Sequence, residues 1–266
     1  MLTAALGRDA LDSGIMSDAE HADPGYNESI KRGLLLGAAV LVLVLPPAID
    51  QRLSFAAAPP PGPRFADFGA VQAIPASADA RHVADWVADS GDNAGHYFVI
   101  VDKRQATVHV FDMQARLRGS TPVLLGAARG DHSVAGIGSR PIADVRPEER
   151  TTPAGRFVAE RGRNMLGEDV IWIDYDAAVT MHRVRAIEPK ERRLERLATP
   201  SADDNRISYG CINVPVDFYE THIGPTFAGR RAVVYVLPED RSVQQVFGSY
   251  DVAAAHRAVV CNYSGR

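Results

Sequence analysis

A chain of 266 residues, 46% hydrophobic and 23% charged, can bury one substantial core but not several large ones. Its formal charge of -4, with both signs interspersed, offers no basic face and argues against nucleic acid as a partner.

Near the N-terminus, Lys31 and Arg32 precede an almost wholly apolar run at 33–45, then Pro46-Pro47 and the small residues Ala56-Ala57-Ala58. That order is the layout of a secretory signal. The apolar run is well short of the ~20 residues that span a bilayer. The expectation for 1–58 is therefore an N-terminal extension with a signal peptide, an uncleaved membrane anchor being the alternative, and Met16 a possible start. Either way the protein is expected to be exported, to the periplasm or cell envelope. The proline-rich stretch 57–63 reads as an extended linker.

Between 78 and 88, Val83, Trp86 and Val87 recur at helical spacing before Gly91 and Asn93 break the pattern, which predicts a short helix within a linker region at 59–95. From 97 onward, short runs rich in Val, Ile, Phe and Tyr alternate with Gly, Pro and Asp, as in a strand-built domain. Strands are predicted at 97–101, 107–111, 122–125, 155–158, 170–173, 179–182 and 232–236, within a catalytic domain at 96–238. The remainder, 239–266, reads as a C-terminal tail. The glycine- and charge-rich stretch 130–150 lacks periodicity and is expected to be a loop framing one side of a site. A charged segment at 188–197 has helical character with Glu-to-Arg neighbour pairs. It reads as a solvated helix or, alternatively, as a lid that faces Arg192, Arg193 and Arg196 toward the carboxylates of an acidic peptide.

Chemistry concentrates at Ile207-Ser208-Tyr209-Gly210-Cys211-Ile212-Asn213-Val214-Pro215. Gly210 permits close backbone approach beside a cysteine flanked by short polar residues, so Cys211 is either a buried packing residue or a nucleophile, and the surroundings favour the nucleophile. In an exported protein Cys211 and Cys261 are also candidates for a disulfide. Cys211 lies inside a specific chemical pattern, however, and Cys261 reads as incidental. Upstream stand Thr152-Pro153-Ala154-Gly155-Arg156-Phe157 and an apolar strand that ends on a histidine, Val179-Thr180-Met181-His182.

In this order the three elements, with the opening hairpin near 96–112, resemble the L,D-transpeptidase catalytic domain, also called YkuD-like, over roughly 96–237. The resemblance implies a mainly β fold, a YkuD-like β-sandwich with a few short helices. It implies that Cys211 is the nucleophile and His182 its base, with the backbone carbonyl of Arg183 fixing the imidazole tautomer. The N–H groups of Gly210 and Cys211 are expected to meet the oxyanion. Ser208 is expected to orient His182 or the cysteine loop, and Asn213 to hold the loop or a substrate carboxylate. Tyr209 replaces a second histidine of the family; a phenol with a reference pKa of ~10 can supply only hydrogen bonding or packing there. The function implied is a peptidoglycan L,D-transpeptidase that forms 3-3 cross-links through a thioacyl-enzyme and releases D-alanine from tetrapeptide stems. Carbapenem-type β-lactams are the implied inhibitors. A cysteine-dependent peptidoglycan hydrolase or carboxypeptidase, and a non-catalytic wall-binding module, are the alternatives. No metal-ligand spacing, GxSxG elbow or phosphate loop is present, so no metal or cofactor is expected. Among the other histidines, His109 is expected to face solvent from a strand, and His132, His222 and His256 to lie in loops or the tail.

Overall fold

The structure, a computed structural model, describes residues 62–69 and 74–264. The expected signal or anchor lies outside these residues, as does most of the proline-rich stretch. Among the described residues, no helix is long and apolar enough to cross a membrane.

The helix α1 (Ala78–Ser90) opens on Ser77, whose hydroxyl accepts from the Ala80 N–H at 3.1 Å, and stops at Gly91 in the left-handed conformation. Its apolar stripe buries Val83, Trp86 and Val87. Burial of Val83 and Val87 is worth about 1.5–3 kcal/mol each, enough to make this segment part of the fold rather than a spacer.

The strands follow as β1 (Phe98–Asp102), β2 (Thr107–Phe111), β3 (Leu117–Pro122), β4 (Leu125–Gly126), β5 (Gly155–Arg163), β6 (Asp169–Asp174), β7 (Val179–Arg183), β8 (Arg206–Ser208), β9 (Ile212–Val214) and β10 (Ala232–Val236). Eight of them form one sheet in the order β3-β2-β1-β10-β5-β6-β7-β9, and β4 pairs with β8. Leu124 bridges to Asn213 of β9, with both backbone hydrogen bonds formed, so the two ends of the large sheet are drawn together. The halves then face each other across one core, to which β1 contributes Val99 and Val101, β7 Met181, and β9 Ile212 and Val214. Alternation sends Phe98 and Ile100 of β1, with Val233 and Tyr235 of β10, to a second core under α1. There Phe98 stacks on Phe111 at 4.6 Å, and Trp86 meets Tyr235 edge to face at 6.2 Å. The chain adopts the expected mainly β fold with a few short helices.

Several local expectations are corrected. The strand placed at 122–125 is divided: β3 ends at Pro122, which has no N–H to continue a ladder, and Leu124 turns away to pair with Asn213. β3, β8 and β9 were not among the predicted strands, because three-residue strands and the polar run Leu117–Pro122 carry almost no alternation. His109 does not face solvent. It is 1% exposed, because the segment around α1 covers the outer face of β1 and β2, and its ring nitrogens contact Ser120 Oγ at 2.7 Å and Thr107 Oγ1 at 3.4 Å. Burial drives its pKa down to about 4. The C-terminal stretch holds helices Val243–Phe247 and Val252–Ser264; from the latter, His256 Nε2 lies 3.0 Å from Asp89 of α1. His222 sits in a helical turn, Tyr219–Ile223.

Candidate active site

In β7, Val179 and Met181 point into the core, so Thr180 and His182 project from the opposite face of the same strand. β9 runs parallel beside β7 with Met181 opposite Ile212 and His182 opposite Asn213. Cys211, immediately before β9, therefore lies next to the Thr180–His182 face despite its distance along the chain. Thr180 Oγ1 donates to Cys211 Sγ at 3.5 Å, and Sγ lies 3.7 Å from the Ala178 carbonyl.

The His182 imidazole lies close enough to the Cys211 sulfur for each to shift the other's ionisation. His182 Nδ1 lies 2.8 Å from the Arg183 carbonyl oxygen, which assigns the proton to Nδ1 and leaves Nε2 to accept one. Burial pushes the Cys211 thiol up, but the neighbouring His182 imidazole, helped by Thr180, pulls harder and holds it below the ordinary thiol value. Burial likewise pushes His182 down, while the Cys211 sulfur and the Arg183 carbonyl outweigh it and raise the imidazole above its usual value. The pair is thus biased toward thiolate and imidazolium. The Arg183 side chain turns away, to Asp169 at 3.1 Å and Glu220 at 2.6 Å, so only its carbonyl faces the histidine.

The cysteine loop is held from inside. Ser208 Oγ donates to the Cys211 carbonyl at 2.6 Å and accepts from the Gly210 N–H at 3.1 Å. Ser208 thus braces the loop and does not orient His182. The same bond corrects the expected oxyanion pair: the Gly210 N–H is already engaged, and of the two donors the Cys211 N–H remains. Gly210 has φ +129°, and a Cβ there would come within 2.9 Å of the Thr151 carbonyl, so the loop requires glycine. Thr152, the first residue of the Thr-Pro-Ala-Gly-Arg-Phe turn, is buried; its hydroxyl donates to the Gly210 carbonyl at 2.8 Å and accepts from the Gly126 N–H at 2.9 Å. Asn213 is also spent within the loop, its Nδ2 donating to the Cys211 carbonyl at 3.2 Å and its Oδ1 accepting from Arg193 at 2.6 Å.

Cys211 opens into a cavity of about 310 Å³ whose walls include His182, Tyr209, Ile142, Ile187, Glu188 and Arg193. Ile142 and Ile187 are 66% and 71% exposed, an apolar rim beside the thiol. Ile142 belongs to the 130–150 stretch, which is irregular apart from three short 3₁₀ turns, and it does frame one side of the site. From the same stretch, Arg150 lies over the Tyr209 ring at 3.9 Å. Tyr209 is therefore a stacked wall of the cavity. On the other side of His182 a larger cavity of about 700 Å³ is lined by Arg161, Arg163, Arg183 and Arg185, with Glu168 and Asp169 among them.

The expected site roles include neither Thr180 nor Arg150, whereas Arg193 is one of the three arginines that the lid reading turns toward a substrate carboxylate. Thr180 had a readable signal, since it stands two residues before His182 and so shares its face of the strand. Arg150 had none, because the loop decides where it points. No disulfide joins Cys211 to Cys261.

No family model matches the chain, and no curated protein matches it. Among solved structures, it is similar to the Ldtfm–avibactam carbamoyl enzyme at 16% identity, over 53% of this chain and 49% of that one, with a TM-score of 0.31. It is similar to the helical cell shape determining protein Pgp2 from Campylobacter jejuni at 14% identity, over 59% and 55%, with a TM-score of 0.38. It is similar to the L,D-transpeptidase of Enterococcus faecium at 16% identity, over 53% and 50%, with a TM-score of 0.29. The chain spans about half the length of these structures, at an identity that leaves its chemistry to be read from its own site.

Proposed function

We propose that this protein is a peptidoglycan L,D-transpeptidase. The observation that carries the reading is the Cys211–His182 pair, with the thiol held below its ordinary pKa, the imidazole fixed by the Arg183 carbonyl, and the sulfur open to a cavity. The Cys211 thiolate attacks the carbonyl that precedes the terminal D-alanine of a tetrapeptide stem. Charge gathers on the carbonyl oxygen, facing the Cys211 N–H. The tetrahedral adduct collapses by breaking the C–N bond as His182 gives its proton to the departing amine, so D-alanine leaves and a thioester remains. An amine from a second stem then attacks the thioester, His182 takes its proton, and the thiolate is released as the new amide forms a 3-3 cross-link. Water in place of the amine gives a tripeptide, the carboxypeptidase outcome. Acylation of the same thiol by a carbapenem-type β-lactam follows from the first half of this sequence, and an exported enzyme is where such substrates are met.

Intact mass spectrometry of the protein with disaccharide-tetrapeptide, and separately with a carbapenem, tests the reading beside Cys211→Ala. Adducts on the wild type and none on Cys211→Ala, with dimeric muropeptide as product, are expected. Tripeptide alone would reassign the enzyme as a hydrolase. Folded, reduced protein that forms no adduct would leave a wall-binding module.

A further inference from the structure

The insertion between β7 and β8 carries three arginines with different fates. Arg192 pairs with Glu195 in solvent, and Arg196 turns to Asp204 and the Glu191 carbonyl. Arg193, the first residue of the helix α2 (Arg193–Ala198), instead lines the cavity into which Cys211 opens. Its side chain is only 14% exposed. Nε donates to Glu191 Oε2 at 2.5 Å and Nη1 donates to Asn213 Oδ1 at 2.6 Å. Asn213 in turn holds the Cys211 carbonyl, so the guanidinium stands two hydrogen bonds from the nucleophile's own backbone. A guanidinium has five N–H donors in a rigid fork, and these two bonds orient it without exhausting it. Arg185 lines the same cavity, but its Nη1 is paired with Glu168, which lines the larger cavity beyond His182.

A largely buried guanidinium, set beside the apolar rim of Ile142 and Ile187, is built to meet a carboxylate. One residue of extended chain spans about 3.3–3.6 Å, so the terminal carboxylate of a single leaving residue stays close to the carbonyl under attack. We propose that Arg193 is a specificity-determining residue that binds the free carboxylate of the leaving residue and so selects stems ending one residue beyond the attacked carbonyl. This rests on the peptidoglycan reading above. A stem one residue longer presents a neutral amide at that point and carries its carboxylate past the fork. Glu191 holds the fork in place. The charge of Arg193 also opposes protonation of His182. Neutralising it with a substrate carboxylate therefore favours the imidazolium that must protonate the leaving amine.

The test compares a stem tetrapeptide ending in a D-alanine carboxylate with the same peptide ending in a carboxamide. Turnover is followed by mass spectrometry for the wild type, Arg193→Gln and Arg193→Lys, with Cys211 alkylation by iodoacetamide as the control for an intact site. The wild type should prefer the acid by roughly tenfold or more in kcat/KM, the worth of one charge-assisted hydrogen bond. Arg193→Gln should bring acid and amide near parity, and Arg193→Lys should retain part of the preference. Equal turnover of the two peptides by the wild type would overturn the proposal alone, and that comparison needs no variant to fold. A preference that survives Arg193→Gln would also overturn it. If neither peptide is processed while Cys211 still alkylates, the peptidoglycan reading fails and this proposal with it.

Discussion

At Cys211 the cost of burying a thiolate competes with a neighbouring imidazole, and the imidazole prevails. His182→Ala removes that counterweight and leaves the desolvation. The pH midpoint of Cys211 alkylation by iodoacetamide is therefore expected to move upward in the variant; an unchanged midpoint would mean that His182 does not activate the thiol. Thr180 continues to donate to the sulfur in that variant, so a thiolate still forms at higher pH. Tyr209 has its role set by packing. Its ring is covered by the Arg150 guanidinium at the cavity wall.

At the level of elements, the site is a junction between a strand end, a loop and a turn that are far apart in sequence. Parallel pairing of β7 with β9 sets His182 beside the cysteine loop, and Thr152 ties that loop to Gly126 of β4. Thr152→Val keeps the side-chain volume but leaves the buried Gly126 N–H and Gly210 carbonyl without this partner. The variant should lose about 1–3 kcal/mol in denaturant unfolding. It should also acylate more slowly while its cysteine remains alkylable; full stability and full acylation would show that the turn does not hold the loop. The insertion at 188–197 is neither of its two expected forms alone. Arg192 and Glu195 form a solvated face, whereas Glu188, Glu191 and Arg193 line the cavity.

Across the whole molecule, a folded-back sheet and an N-terminal helix bury both faces of β1 and β10, and this creates a pH liability at His109. Its folded pKa of about 4 lies below the unfolded value near 6.5, so the unfolded chain binds the extra proton first. Stability should be fully present above pH ~6.5 and fall as the pH drops toward ~4, by on the order of 3 kcal/mol from this group. His109→Gln should flatten the fall, as measured by denaturant unfolding across that range; an identical pH profile would assign the acid sensitivity elsewhere. The sequence alone determined the mainly β class, the helix at 78–88 and the central strands, and marked Cys211 as a candidate nucleophile, because alternation, helical spacing and a short chemical pattern are local and survive without neighbours. The partnership of His182 with Cys211 entered only as an implication of the family resemblance. What only the tertiary structure decided was pairing and direction. The folding back of the sheet at Leu124, the burial of His109, the engagement of the Gly210 N–H by Ser208 and the place of Arg193 in the wall of the cavity that Cys211 lines all depend on segments that meet in space and leave no periodicity in the chain.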